Sequence, residues 1–367
     1  MADDMTTFHA LTVTDITQVA DGAVAVTFAV PEELREQYRY VPGQHITLRR
    51  MVDGVEVRRP YSICSSAGAQ QLRIGVRHVA GGLASTHINR ALRVGDLVDV
   101  MPPSGRFTVP FDARHRKTYA FFAAGSGITP ILSNLSSVLE AEPHSQCLLC
   151  FGNQTVASTM FADELLALKN RYMTRLELCF FLSREFQDIP LFNGRLDGTK
   201  VQALIPTVFG ARHFDDCFVC GPGEMIDEVS AALIGAGVVD AAHVHTERFV
   251  AGARPDSIAA ATAAAKTAEE TGAPMTTVTV VMDGRTRTFR MPQSGERLLD
   301  AGLRQGLHLP YSCKAGACAT CRCRVTAGAA HMAVNHSLER WEVEAGYMLT
   351  CQSVPTSGTI TLDYDVR

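Results

Sequence analysis

Four cysteines stand out by their spacing. Cys313, Cys318 and Cys321 fall within Leu309-Pro-Tyr-Ser-Cys-Lys-Ala-Gly-Ala-Cys-Ala-Thr-Cys321, and Cys351 follows in Leu349-Thr-Cys-Gln352. A C-x4-C-x2-C…C pattern supplies two thiolates to each iron of a [2Fe-2S] cluster. The loop Lys314-Ala-Gly-Ala-Cys318, built mostly of small residues, leaves room for such a group and can aim backbone N–H groups at its sulfurs. Zinc is the alternative for the same thiols, but it asks for two close pairs or nearby histidines, and Cys351 has neither. Structural disulfides fit less well. Met1-Ala-Asp-Asp-Met5 has no basic start and no apolar run, so nothing routes the chain to an oxidising compartment. Cys64, Cys147, Cys150, Cys179, Cys217, Cys220 and Cys323 mostly sit in apolar runs and read as small hydrophobes, with Cys323 a decoy ligand.

A second set of residues could hold phosphates. Arg59-Pro60-Tyr61-Ser62 is followed by Gly81-Gly82-Leu-Ala-Ser85 at the start of a helical pattern reaching Leu92. Glycines at a helix start let backbone amides approach a phosphate, and Ser85 adds a hydroxyl. Gly125-Ser-Gly127-Ile-Thr129-Pro130 follows an apolar strand and turns into a helix expected over Ile131–Glu140, with Pro130 at its first position. This suits a pyrophosphate at a helix N-terminus, although the third glycine of the dinucleotide fingerprint is absent. Taken singly, an arginine on a strand is a solvated charge and Gly-Gly a turn.

The elements that must position these groups follow from periodicity. Residues 8 to about 110 give short alternating strands at Leu11–Thr14, Ala23–Phe28, His45–Leu48, Val55–Arg58, Leu72–Arg77 and Leu97–Val100, which predict an antiparallel β-barrel. Val41-Pro-Gly-Gln44 and Pro102-Pro-Ser-Gly105 punctuate it. From Thr118, apolar strands alternate with helices, which predicts an α/β domain with a parallel sheet. Its strands lead to Gly152-Asn-Gln154-Thr155, Ser183-Arg184-Glu185, Cys220-Gly221-Pro-Gly223 and Glu247-Arg-Phe249. A stretch over 251–275 is alanine-rich and poor in bulky apolar groups, and reads as a tether. Beyond it, Asp283-Gly284 marks a hairpin, a helix is expected from Glu296 to Gln305 with Gly306 ending it, and Ile360–Tyr364 is a last strand. The expected division is 1–112, 113–250, a linker at 251–275, and an α+β domain over 276–367.

In combination, Arg-x-Tyr-Ser, Gly-Gly-x-x-Ser and Gly-Ser-Gly-Ile-Thr-Pro resemble the ferredoxin-NADP reductase family. The resemblance implies FAD on the barrel, with Arg59 neutralising its pyrophosphate, Tyr61 packed along the flavin and Ser62 hydrogen-bonding near its reactive nitrogen. It implies NADPH, with NADH the weaker candidate, on the parallel sheet at Gly125, Gly127 and Thr129. Ser183 and Arg184 resemble the pair that NADP-specific relatives use on the 2′-phosphate, while Gln154 stands where relatives often carry arginine. Cys220 and Gly221 match the turn beside the nicotinamide. Glu247 would relay a proton and Phe249 would cover the ring, so that Ser62, Cys220 and Glu247 are the implied catalytic set. Residues 277–367 resemble a plant-type ferredoxin of β-grasp fold. This segment carries ten Arg and Lys against eight Asp and Glu, unlike the strongly acidic free ferredoxins.

The three modules in this order resemble the reductase subunits of bacterial phenylacetyl-CoA epoxidases, which are di-iron ring-epoxidising complexes. The residues behind that likeness are Cys313–Cys323, Pro42-Gly-Gln-His45 and His245-Thr-Glu-Arg-Phe249. It implies electron flow from NADPH through FAD and the cluster to a di-iron oxygenase component. The alternatives are the reductase of another oxygenase or demethylase, and a redox carrier or sensor that does not turn over NADPH. A formal net charge of −4 gives no reason to expect nucleic acid. No apolar run approaches membrane-spanning length, so a cytoplasmic location is expected.

Overall fold

The computed structural model describes residues 7–52, 54–69, 71–250 and 274–366, with single positions at 263, 267 and 272. The expected tether over 251–275 lies mainly outside the described residues. The chain divides into two compact units, one ending at Phe249 and one running from Val250.

In the first unit, alternating apolar residues build a six-stranded antiparallel sheet. Its strands are β1 (His9–Ala20), β2 (Ala23–Ala29), β3 (His45–Val52), β4 (Val55–Ser62), β5 (Leu72–Arg77) and β6 (Leu97–Ser104), in the order β4-β3-β6-β1-β2-β5. A bridge between Ile63 and Ile74 joins the two edges, so the sheet closes as a barrel around Leu11, Val26, Ile46, Ile74 and Val100. Strands β1, β3, β4 and β6 all run further than expected, and two of the extensions bear on the site. Strand β4 continues through Arg59-Pro60-Tyr61-Ser62, which places those residues on a pleated, alternating strand. Strand β6 continues through Pro102-Pro103, expected as punctuation. There β1 pairing has stopped at Val100 and the β3 register slips between His45 and Thr47. Prolines sit there because a bulge spares the missing N–H. Helix α1 (Leu83–Arg90) follows β5.

The rest of this unit is a five-stranded parallel sheet. Strands β7 (Thr118–Ala124), β8 (Gln146–Asn153), β9 (Leu176–Leu182), β10 (Asp216–Gly221) and β11 (Val244–Arg248) lie in the order β11-β10-β7-β8-β9. Helices α2 (Ile128–Ala141), α3 (Ala162–Arg171), α4 (Gly198–Leu204) and α5 (Gly223–Gly235) accompany them. Near-continuous apolar strands fit a sheet covered on both faces. Phe121, Phe151 and Phe218 fill one side and Phe122, Val219 and Phe209 the other. Helix α2 begins at Ile128, not at Ile131, because a 3-10 turn at Gly125–Gly127 feeds straight into it. Pro130 is therefore third in the helix, still within the first turn, where its missing N–H costs nothing.

Barrel and parallel sheet meet without slack. A Cβ on Gly75 of β5 would fall 2.6 Å from Thr129 Cγ2 and 2.9 Å from Phe161 Cζ. Beside it, Arg73 makes a bidentate pair with Glu164, at 2.6 and 3.0 Å.

The second unit is a mixed five-stranded sheet. Strands β12 (Met275–Met282) and β13 (Arg285–Pro292) form the hairpin, with positive φ at both Asp283 and Gly284. Strands β14 (Arg322–Ala327), β15 (Ala330–Met332), β16 (Tyr347–Leu349), β17 (Ser353–Pro355) and β18 (Thr359–Asp363) follow. The main order is β13-β12-β18-β14-β16, with β12 and β18 parallel and the other pairs antiparallel. Helix α6 (Leu298–Arg304) starts two residues later than the sequence suggested. The reason is that Glu296 is buried in a bidentate pair with Arg304, at 3.0 and 2.9 Å. Gly306, at φ +78, ends the helix as expected. Helix α7 (Arg340–Glu344) carries a capping box from Glu339 and Glu342.

Candidate functional site

The sheet order reverses between β7 and β10, and open parallel sheets bind ligands at such a reversal, beyond the carboxyl ends of the strands. The two glycine turns expected to hold nucleotide leave these two strands. They touch: a Cβ on Gly127 would fall 2.2 Å from the Cys220 carbonyl oxygen and 2.9 Å from Gly221 N. Only glycine lets the backbones approach so closely. Thr129 Oγ1 donates to Ser126 O at 3.0 Å and braces the turn, while the first amides of α2 have no side-chain cap. Ile128 N, the first of these, donates to the Gly125 and Ser126 carbonyls, so the position an anion would suit is the opening of the 3-10 turn at Gly125, which has no side-chain cap either.

Two further turns open at the same end of the sheet. Ser183 N and Oγ donate to Asn153 O at 3.0 and 3.3 Å, and Arg184 N donates to Gln154 O at 2.8 Å. Ser183 and Arg184 are exposed, and the Arg184 guanidinium has no ion-pair partner among the described residues. A planar cation so presented can take a phosphate.

Across the junction, β4 brings up Ser62. Its Oγ donates to Glu247 Oε2 at 3.2 Å, linking residues far apart in the chain. Cys220 and Glu247 are register partners on β10 and β11, so the serine, the carboxyl and the thiol converge. Burial pushes the Glu247 carboxyl up to about 8, against the Ser62 hydrogen bond that pulls it down. Burial also lifts the Cys220 thiol far above its ordinary value, with the Glu247 charge adding to the effect. The site thus holds a proton-bearing carboxyl and a neutral thiol, not a thiolate nucleophile.

Strand β11 is pinned at both ends. Near its start the Asp216 carboxylate meets His245 Nε2 at 2.9 Å, Lys117 Nζ at 2.9 Å and His243 Nδ1 at 3.2 Å. Burial pushes that carboxyl up, but the three hydrogen bonds win and hold it at about 2. At the other end Arg248 pairs with Asp227 and donates to Gly223 O at 3.3 Å, tying β11 to the Gly221–Gly223 turn. Phe249 is 39% exposed, with ring face to spare for a planar partner.

On the barrel, Tyr61 packs against the core and its hydroxyl is raised by burial, with Arg59 opposing. Arg59 donates to Arg58 O at 2.7 Å and has no carboxylate partner among the described residues, which leaves its charge for an anion. Gly81 and Gly82 turn into α1 as expected. The Ser85 hydroxyl, in contrast, is held within the turn, accepting from Val79 N at 3.1 Å and donating to Gly82 O at 3.3 Å. Gly82 N is taken up as well, donating to Val79 O at 2.9 Å.

The cysteine set forms in the second unit. Cys313, Cys321 and Cys351 are buried and Cys318 is half-buried. Two thiol pairs share hydrogen bonds, Cys313 with Cys318 and Cys321 with Cys351. The Cys318 thiol lowers Cys313 to about 5 against burial, helped by the amides of Ala315, Ala317 and Cys318. The Cys321 thiol likewise lowers Cys351. Ala315 N reaches Cys313 Sγ at 3.3 Å and Cys313 N reaches Cys318 Sγ at 3.5 Å. Two thiol pairs ringed by backbone donors fit two irons taking two thiolates each. Cys323 lies on β14 in the hydrophobic core, its thiol raised by burial. Sequence reasoning gave no role to Gln352, whose amide reaches Cys351 Sγ at 3.5 Å. Its one available signal was its place directly after a candidate ligand.

Three family models match in succession. They are an oxidoreductase FAD-binding domain over residues 10–109, an oxidoreductase NAD-binding domain over 121–231 and a 2Fe-2S iron-sulfur cluster binding domain over 280–356. The chain is 41% identical over 364 residues to a 1,2-phenylacetyl-CoA epoxidase subunit from Escherichia coli, covering 99% of each. This chain belongs to the phenylacetyl-CoA epoxidase family of ferredoxin-bearing reductases. The family's reach is wider than one substrate. The chain is also 32% identical over 356 residues to the ferredoxin reductase component of 3-ketosteroid-9-alpha-monooxygenase from Rhodococcus rhodochrous, covering 96% of each. The solved structure of phthalate dioxygenase reductase shares the fold, with a TM-score of 0.58 and 21% identity over 97% of this chain and 98% of that one. As a member of the family, the protein is an NAD(P)H-dependent flavin and iron–sulfur oxidoreductase that passes electrons to an oxygenase. Among the described residues no helix is long and apolar enough to cross a membrane.

Proposed function

We propose that this chain draws electrons from NADPH and delivers them to the di-iron oxygenase component of a phenylacetyl-CoA epoxidase in aerobic phenylacetate breakdown. The flavin converts a two-electron hydride into single electrons that the cluster can carry, and the protein's part is to position and tune. Arg59 and the turn at Gly81 and Gly82, whose Gly82 amide is engaged with Val79 O, would meet the FAD phosphates, and Pro60, Tyr61 and Ser62 on β4 would line its ring. The turns at Gly125–Thr129 and Cys220–Gly221 seat the pyridine nucleotide at the sheet reversal. Ser183 and Arg184 take the 2′-phosphate, which favours NADPH over NADH. Phe249 would cover the flavin, and Cys220 would sit as a neutral thiol beside the nicotinamide. Cys313, Cys318, Cys321 and Cys351 hold the irons.

The observation that carries this reading is the Ser62–Glu247 hydrogen bond at the junction of barrel and parallel sheet. Glu247 keeps a proton at neutral pH and Ser62 ties it to β4 of the barrel, so these two residues would hold and hand on a proton beside a bound flavin. The eleven cysteines are free, which suits a reducing compartment, and we place the protein in the cytoplasm. We keep the expected division at residues 112, 250 and 275 as the proposed domain map.

The test is reconstitution of the purified chain with candidate terminal oxygenases. Productive NADPH-driven epoxidation of phenylacetyl-CoA with a di-iron partner is expected. Coupling only to a steroid or other oxygenase would reject the substrate assignment, and no NADPH oxidation with or without ferricyanide would reject the reductase itself.

A further inference from the structure

We infer that Gln352 is a positioning residue that raises the reduction potential of the cluster and clasps the two halves of its cysteine set. The inference rests on the reading that these four cysteines hold a [2Fe-2S] group. Gln352 ends the 3-10 turn Thr350–Gln352 and is 9% exposed. Its Nε2 donates to Lys314 O at 2.9 Å and reaches Cys351 Sγ at 3.5 Å. An amide nitrogen carries two hydrogens, so both contacts can be made at once. Cys351 belongs to one thiol pair, and Lys314 directly follows Cys313 of the other. One side chain therefore spans both.

Its placement is fixed from several sides. Gln352 O accepts from Arg297 Nη1 at 2.5 Å and from Ala333 N at 3.0 Å. The side chain lies over the bare backbone of Gly316, where a Cβ would fall 3.0 Å from Gln352 Cγ. Gly316, at φ +77, is also where an L side chain would be strained. An N–H aimed at a ligand sulfur favours the more negative, reduced state, and a buried donor is electrostatically stronger than an exposed one.

The experiment uses the full-length holoprotein with Gln352→Met, which keeps length and loses the donor, and Gln352→Glu, which keeps shape and replaces the amide with a carboxyl. Midpoints come from EPR-monitored titration, and cluster retention from bleaching in the presence of an iron chelator. At a fixed poise near the wild-type midpoint, the ratio of reduced to oxidised cluster should fall roughly three- to tenfold in Gln352→Met, the worth of one hydrogen bond. It should fall further in Gln352→Glu, and chelator bleaching should be faster in both. Wild-type midpoints and bleaching rates in variants that load iron normally would overturn the inference. A wild-type protein without a [2Fe-2S] spectrum would instead overturn the reading of the cysteines. Should Gln352→Met fail to load iron, Gln352→Glu decides: a wild-type midpoint there overturns the inference.

Discussion

Replacing Glu247 with glutamine keeps the shape of the side chain and removes its titratable proton. With its carboxyl pushed up to about 8 by burial, Glu247 is about nine-tenths protonated at pH 7 and about one-tenth at pH 9. If the Ser62–Glu247 pair supplies the proton that accompanies hydride transfer, wild-type NADPH–ferricyanide turnover falls about tenfold between those pH values. Glu247→Gln should be slower by on the order of 10²-fold at pH 7 and should lose the inflection near 8. The assay is stopped-flow reduction of the bound flavin across pH 6 to 10, with the nucleotide dissociation constant measured separately. A stability readout checks the same proton without turnover. A carboxyl whose folded value lies above its unfolded one contributes stability in full below the unfolded value, and that contribution is lost as pH rises through about 8. The wild-type thermal midpoint should therefore sag between pH 5 and 9 more than that of Glu247→Gln. An inflection near pH 8 that survives unchanged in the glutamine variant would refute the assignment.

Cys351→Ser should abolish the visible and EPR signature of the cluster while leaving ferricyanide reduction by NADPH near wild type, since the flavin lies in the other compact unit; loss of FAD together with the cluster would contradict this. Arg184→Ala should weaken NADPH about tenfold or more and NADH little, as removal of a charged partner from a phosphate would; equal losses in titrations of both nucleotides would remove the 2′-phosphate role. Gly127→Ala forces a methyl to 2.2 Å from the Cys220 carbonyl and should cost about 1–3 kcal/mol, read as a lower thermal midpoint together with weaker nucleotide binding. Gly125→Ala meets nothing within 4 Å but strains a positive φ, and should cost less, about 1 kcal/mol.

What could be read from the sequence was whatever local chemistry controls. Strand alternation, the Asp283-Gly284 hairpin and the cysteine spacing each depend on near neighbours, and each appears where expected. The misplaced boundaries have tertiary causes. Strand β6 runs on through Pro102-Pro103 because a register slip absorbs them, and α6 starts late because Arg304 draws Glu296 into an ion pair. The Ser62–Glu247 link joins residues 185 positions apart; the family likeness pointed to each residue separately, and the bond between them was not legible in the sequence. The Ser85 hydroxyl, free on paper, is taken up by its own turn. The Gln352 amide had no sequence pattern to announce it, because its partners are a carbonyl 38 residues away and the sulfur next door.

The bare patch at Gly75 has a consequence for protein engineering. With Thr129 and Phe161 pressed against it and Arg73 locked to Glu164, barrel and nucleotide sheet are cut to each other's shape. A chimaera that imports a foreign nucleotide half to change coenzyme choice would have to carry the matching barrel strand as well. Exchanges made one loop at a time, at Gln154 or Arg184, leave that seam untouched.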